Sequence, residues 1–261
     1  MLRPRIRHSD ALADDESCVC YCENGIIPPL PGGASLILIP KLGKNHRSML
    51  QLHSAVFNAF SENTYVIYNE HKQCWIIDPG MYEAEEITAF KDFIATQGLN
   101  PQGIINTHAH LDHIFGVQAM MDAYNIPFAL HPLEAPVLAG AKGSAMLFGF
   151  QMTSIPQPTQ QLREGESLKL GEDTLELRLA PGHSPGSLVF YYQQGEWAIG
   201  GDVLFAGSIG RSDLPGGNHE TLLQSIRTQL FTLPDATVVY PGHGPETTVG
   251  EEKRSNPFLR S

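Results

Sequence analysis

The sequence predicts an α/β domain, and three observations predict it. From residue 50 onward, apolar runs of strand length recur, and between them apolar residues repeat at helical spacing. Several of the strand-like runs stop in a tight turn that carries a histidine or an aspartate. The densest such turn, Thr107-His108-Ala109-His110-Leu111-Asp112-His113, directly follows Gly103-Ile104-Ile105 and sets three imidazoles and a carboxylate within six residues.

Taken in order, residues 1 to 48 stand apart from the rest. They hold Pro28-Pro29 and Pro31-Gly32-Gly33, lack periodicity, and run from basic (Arg3, Arg5, Arg7) to acidic (Asp14, Asp15, Glu16). This composition predicts a disordered N-terminal extension ahead of a domain spanning 49 to 261. Met49 opens the first regular pattern, so mass spectrometry of the native protein is expected to find an N-terminus near Met49. An intact Met1 end would overturn that expectation.

Strands are predicted over Leu50 to Phe57, Thr64 to Tyr68 and Cys74 to Ile77, the last running into Asp78-Pro79-Gly80. Glu83 to Gln97 reads as an amphipathic helix, with Ile87, Phe90, Phe93 and Ile94 on one side and Gly98 as its stop. After the histidine-rich turn, Ile114, Val117, Met120, Met121 and Tyr124 announce a second helix, and Phe128 to Leu130 a further strand. Pro132 to Gln161 is expected to be irregular, because Gly140, Gly143, Gly149, Pro156 and Pro158 interrupt it. Its apolar Met146, Leu147, Phe148 and Phe150 suit either a lid or substrate wall, or a helical turn packed on the surface.

The second half repeats one device three times. Thr174 to Leu179 runs into Pro181-Gly182-His183, Glu196 to Ile199 into Gly200-Gly201-Asp202, and Thr237 to Tyr240 into Pro241-Gly242-His243. Asn218 is placed to cap a helix over Thr221 to Leu230. With Asp78 and His108, five strand ends then carry a polar side chain of ligand type, where loops are free to hold chemistry on a rigid sheet.

In an extended chain His108 and His110 project from one face and can share one cation. Asp112 and His113 fall where the pattern turns helical, so they diverge and can serve a second. Four such groups buried without partners would cost several kcal/mol. The cluster therefore reads as a metal site.

Composition excludes other classes. The net charge of −11, with no lysine or arginine block, makes nucleic acid or an anionic membrane a poor partner. No apolar run approaches the ~18 to 20 residues of a membrane span, and a cytosolic protein is expected. Cys18, Cys20, Cys22 and Cys74 lack the C-x2-C spacing of a structural zinc site and read as reduced thiols.

The combination of His108-x-His110-x-Asp112-His113 with His183, Asp202 and His243 resembles the metallo-β-lactamase superfamily over about Met49 to Ser261. Glycine-flanked Asp202, Gly210-Arg211-Ser212-Asp213, Gly242-His243-Gly244-Pro245 and the Asn256-Pro257-Phe258 tail are most similar to short glyoxalase II relatives. The resemblance implies a four-layer αββα sandwich and two divalent cations. It implies His108, His110 and His183 on the first, Asp112, His113 and His243 on the second, and Asp202 bridging them. It also implies that Asp78 supports the ligand shell, a part compatible with shaping the Pro79-Gly80 turn. Long glyoxalase II enzymes hold glutathione with C-terminal residues, whereas this sequence ends at Ser261, soon after His243.

Two cations ~3.5 to 4 Å apart lower the pKa of a shared water towards about 7, which provides hydroxide at neutral pH. Asp112 is placed to hydrogen-bond that nucleophile, and Asp202 to bridge the cations. A thiolate, with a conjugate-acid pKa of about 8.5, leaves without a proton, so a small-molecule thioester such as S-lactoylglutathione suits the site. With no thiolate ligand, zinc is the first expectation and iron or manganese remain compatible. The alternatives are a mononuclear iron persulfide dioxygenase, or a lactone or phosphodiester hydrolase of the same fold. Arg211 with Asp213 reads as a loop-fixing ion pair, with Arg211, Lys142, Lys253 and Arg254 as candidates for a substrate carboxylate. His53, His71, His131 and His219 read as surface or helix-start side chains.

Overall fold

The computed structural model describes residues 49 to 260, so the expected N-terminal extension lies outside the described residues. Two six-stranded sheets face each other. The first contains β1 (Gln51–Phe57), β2 (Glu62–Tyr68), β3 (Gln73–Ile77), β4 (Asn100–Ile105), β5 (Phe128–Leu130) and β6 (Gln160–Gln161), in sequence order. The second contains β7 (Ser167–Leu170), β8 (Asp173–Leu179), β9 (Leu188–Tyr192), β10 (Trp197–Gly201), β13 (Val238–Pro241) and β14 (Thr247–Thr248). Its order is β14-β13-β10-β9-β8-β7, and β11 (Leu204–Phe205) and β12 (Ser208–Ile209) form a small separate hairpin.

The layering follows from the two-residue period of strands. In β2, Tyr65 and Ile67 point to the inter-sheet core and Val66 to the opposite face; in β3, Trp75 and Ile77 face inward and Cys74 and Ile76 outward. The second sheet mirrors this, with Leu188, Phe190 and Tyr192 inward and Val189 and Tyr191 outward. Helices α1 (Ala84–Thr96), α2 (Val117–Tyr124) and α3 (Ala135–Leu147) cover the first outer face through Phe90, Ile94, Met120 and Leu138. The second is covered by α4 (His219–Ser225), continued as a π turn to Leu230, and α5 (Val249–Ser255). Three apolar seams thus separate four layers, and each fully buried Ile or Leu contributes about 1.5 to 3 kcal/mol. Cys74 lies in one seam, where burial pushes its thiol up to about 12 and keeps it protonated. No helix among the described residues is long and apolar enough to cross a membrane.

Strand direction places the site. The pairs β3/β4, β4/β5 and β5/β6 are parallel, with α1, α2 and α3 as their crossovers. The carboxyl ends of β3 and β4, and hence Asp78 and the turn after Ile105, therefore reach one edge. In the second sheet β10 and β13 are parallel, and β8 runs with β10 because β9 opposes both. His183, Asp202 and His243 accordingly arrive at one edge as well.

One stretch departs from the sequence reading. Pro132 to Gln161 is not irregular throughout: a 3-10 turn, Pro132–Glu134, leads into the thirteen-residue α3. Leu138, Ala141 and Ala145 form its buried stripe, whereas Gly140 and Gly143 have open space where a Cβ would sit. The stripe is built largely from alanine, which blurs the apolar period, and solvent-facing glycine there costs only propensity, about 1 kcal/mol each. Strands β7 and β9 were also not singled out by pattern; β9 is buried at every position, so it shows no alternation.

Candidate metal centre

The chain leaves β4 extended through His110, whose backbone has φ −65° and ψ 152°, and then closes a 3-10 turn over Leu111–His113. His108 and His110 consequently reach one point, while Asp112 and His113 swing to another. His110 Nδ1 lies 2.8 Å from His183 Nε2, which is 3.2 Å from His108 Nε2. On the other side His243 Nε2 is 3.1 Å from Asp112 Oδ2, and His113 Nε2 is 3.8 Å from that same oxygen. Asp202 lies between, 3.5 Å from His113 and His183 and 3.6 Å from His243. All seven side chains singled out in the sequence meet here.

Four of the five imidazoles are aimed from behind. His183 Nδ1 donates to the Arg211 carbonyl at 2.8 Å and His243 Nδ1 to the Phe60 carbonyl at 3.1 Å. His113 Nδ1 donates to Asp78 Oδ2 at 3.1 Å. His108 Nδ1 meets Thr107 Oγ1 at 3.0 Å, and that hydroxyl donates to Asp78 at 2.6 Å. These partners fix the tautomers and leave the other ring nitrogen of each as a lone pair pointing inward. Asp78 also accepts the Thr107 amide at 2.7 Å, and its positive φ of 49° turns the chain into Pro79. The turn-forming and supporting parts expected of it hold together.

Electrostatics agree with a site made for cations. Burial, reinforced by His183, depresses His110 to about 3, and burial with His113 holds His108 well below the ordinary imidazole range. Burial alone would raise the pKa of Asp202 and Asp112, yet His113 beside them brings both below the usual carboxylate range. His108 and His110 thus stay neutral and the carboxylates ionised, whereas for His113 and His243 burial is outweighed by Asp112 and Asp202, which hold both imidazoles above their ordinary range, so a cation at the second triad would displace protons. His113 Nε2 and Asp202 Oδ1 are buried with no hydrogen-bond partner, and ring nitrogens of three imidazoles converge, His183 Nε2 lying 2.8 Å from His110 and 3.2 Å from His108. Unpartnered buried acceptors of this kind are costly unless a cation sits among them, so the residues fit divalent metal.

Several supporting residues gave little sign in the sequence. Asn106 donates to the His113 carbonyl at 2.8 Å, and Asn63 to the Pro241 and Gly244 carbonyls, both at 2.9 Å. Glu62 is fully buried, with Oε1 3.8 Å from His113 Nδ1, and burial raises it well above the usual carboxylate range. Glu134, inside the stretch read as irregular, is fully buried behind the histidine turn. The polar triplet Glu62-Asn63-Thr64 ahead of an apolar run is the available signal for Asn63 and Glu62.

Other expectations sort as follows. Arg211 and Asp213 form a bidentate pair with both contacts at 2.8 Å, on an exposed loop. Lys142 bonds the Thr153 carbonyl, Lys253 pairs with Asp235 and Arg254 with Glu251. His71 is exposed and His219 opens α4. His131 stands at a helix start and not on the surface: it is 5% exposed, caps the 3-10 turn through Nδ1 and meets Glu164 at 3.2 Å. His53 is half-buried, stacked 4.1 Å from Phe93, because alternation in β1 turns it towards α1.

Beside His243 lies an aromatic cluster. Phe60 meets Phe148 and Phe150 at 5.6 and 5.3 Å, and Phe150 meets Tyr82 and Phe115 at 4.9 and 5.2 Å. Beyond it Met146 and Leu147 are 80% and 87% exposed.

An αββα sandwich with a histidine and aspartate centre across its sheet edges defines a metal-dependent hydrolase. The chain belongs to the metallo-β-lactamase superfamily, whose family description, "Metallo-beta-lactamase superfamily", matches residues 58–243. It is similar to the "Probable metallo-hydrolase YqgX" of Bacillus subtilis, 46% identical over 200 residues that cover 76% of this chain and 92% of that one. It is also similar to the "Hydroxyacylglutathione hydrolase GloC" of Haemophilus influenzae, 38% identical over 78% of this chain and 95% of that one. Among solved structures, "TTHA1623 in a di-iron-bound form" superposes with a TM-score of 0.70 at 39% identity, covering 79% of this chain and 99% of that one.

Proposed function

We propose that this chain is a binuclear thioesterase of the hydroxyacylglutathione hydrolase type. The observation that carries the reading is the pair of converging donor groups, His108, His110 and His183 beside Asp112, His113 and His243, with Asp202 within 3.6 Å of a histidine from each. The first triad would hold one cation, the second another, and Asp202 both. The bound cations, zinc in first place with iron or manganese also suited to this donor set, would supply hydroxide at neutral pH and polarise the carbonyl. The di-iron form of a 39% identical neighbour and the name of a 38% identical relative support a binuclear centre and a thioester substrate respectively.

The chain's own groups do the rest. Asp112, ionised and 13% exposed, is placed to accept a hydrogen bond from the attacking water and orient it. His243, 26% exposed, marks the open side of the centre, and the aromatic cluster next to it offers an apolar flank for the acyl or thiol part. Because a thiolate departs without a proton, a site of aprotic donors is sufficient for a thioester.

The deciding experiment measures metal per chain and S-lactoylglutathione hydrolysis on one sample. Two metals with turnover support the proposal; one iron, oxygen uptake on glutathione persulfide and no hydrolysis would replace it with a dioxygenase. Exhaustive chelation is expected to abolish turnover and lower the melting temperature, and added zinc to restore both, since a ligand bound only by the folded state stabilises it. Phe148→Ala is expected to raise KM about threefold to tenfold with little change in kcat, because a half-exposed ring contributes uniform binding. An unchanged KM would remove the aromatic flank from the substrate.

A further inference from the structure

Glu134 sits at the end of the 3-10 turn before α3, far in sequence from every candidate ligand, and its residue is 0% exposed. Its carboxylate reaches two separate loops. Oε2 accepts the amide of Ala109, the residue between His108 and His110, at 2.8 Å. Oε1 accepts the hydroxyl of Ser184 at 2.5 Å and the amide of Gly186 at 2.6 Å, in the turn that presents His183. The bonded groups, Ala109 between His108 and His110 and Ser184 with Gly186 just after His183, flank the three imidazoles of one triad; of the other triad, Asp112 and His113 follow further along the first turn and His243 lies on neither loop.

We infer that Glu134 is a positioning residue for the first cation: it clamps the His108–His110 turn to the His183 turn and thereby sets the spacing of three ligand nitrogens. This rests on the binuclear reading above. Three donors and no acceptor face the side chain, which is the pattern an acceptor-only carboxylate satisfies. Glutamine cannot replace it. If its amide oxygen serves Ser184 and Gly186, its NH2 group faces the Ala109 N–H, donor against donor; reversed, the conflict moves to the Gly186 N–H. Either way one loop is released while the other stays bonded. Gly186 confirms how closely the clamp is built, since a Cβ there would lie 3.0 Å from Glu134 Cγ and 3.1 Å from its backbone nitrogen. A helix crossover of the first sheet thus holds a turn of the second.

The test is a zinc titration of metal-free wild type and Glu134→Gln against a chromophoric chelator, with circular dichroism to confirm folding. One of the two zinc ions is expected to bind Glu134→Gln about 10- to 100-fold more weakly, the usual loss when a group supporting a ligand is removed, with the other unchanged. A purely structural carboxylate would lower the melting temperature of the metal-free protein and leave both affinities in the folded variant at their wild-type values; that result overturns the inference. Glu134→Asp keeps both acceptor oxygens on a shorter arm that spans to one loop only, and is judged by the same criterion if the glutamine variant does not fold. Failure of the underlying reading shows instead in the wild type, which would take up no second cation whatever stands at position 134.

Discussion

His110→Ala and Asp202→Ala are expected to lose bound metal and turnover together, the latter on the order of 10³-fold or more. The two act for different reasons. His110 contributes one of three converging nitrogens, and without it His108 and His183 offer the first position only two. Asp202 is the carboxylate between the histidines of both triads, so its removal takes a negative charge from each position at once. Metal analysis should therefore show the first position emptied in His110→Ala and both weakened in Asp202→Ala. His71→Ala is the matched control, because His71 is exposed and remote from the cluster. His131→Ala, which the sequence alone would nominate as silent, is a stability variant, since it deletes a buried cap. Equal losses in His71→Ala and the two ligand variants would sink the assignment.

Gly242→Ala is expected to be nearly as severe although glycine ligates nothing. A Cβ at Gly242 would overlap Asp202 Oδ1 and lie 2.7 Å from His113 Cε1, so the methyl group would occupy space that two ligands use. The backbone has nowhere to retreat. Its amide donates to Gly201 at 2.9 Å and its carbonyl accepts from Asn63 at 2.7 Å, which pins it to both neighbours. Displacing either ligand by about 1 Å is enough for a 10²-fold fall in kcat. Gly244→Ala, two residues on, separates this from a general effect of altering the turn. Gly244 has a positive φ of 74° but open space around it, so alanine there costs about 1 kcal/mol of stability and leaves turnover in place. Comparable kcat for the two alanine variants would show that ligand crowding is not the cause.

Seven converging groups were legible in the sequence because strand ends announce themselves: an apolar run stops, a glycine or proline turns the chain, and a histidine or aspartate follows. The separation of the histidine turn into two pairs was legible too, because the period changes from two to helical between His110 and His113. What sequence pattern did not show was everything whose meaning depends on three-dimensional neighbours. Glu134 looks like an ordinary surface acid until the fold surrounds it. Helix α3 was hidden because its buried stripe is mostly alanine and its glycines face solvent, so neither apolar spacing nor breaker residues reported its conformation. His131 shows the reverse case: of the two expectations, surface or helix start, the helix start holds, and the fold buries the capping ring.

Each triad draws on both sheets: His108 and His110 need His183, and Asp112 and His113 need His243. The first members precede residue 114 and the completing ones follow residue 182, so neither of these two triads can be assembled from one half alone, although Asp78, His108 and His113 also converge within the first half. A bound cation is thus a rivet through the sandwich, and its affinity contains the effective concentration at which one half presents its histidine to the other. Occupancy and docking of the halves are then a single equilibrium seen from two sides. Stripping the metals should loosen the seam between the sheets before either sheet frays, and proteases should find the chain first in the connection between β6 and β7. Co-expressed fragments divided there would recover tight metal binding only as they recover each other.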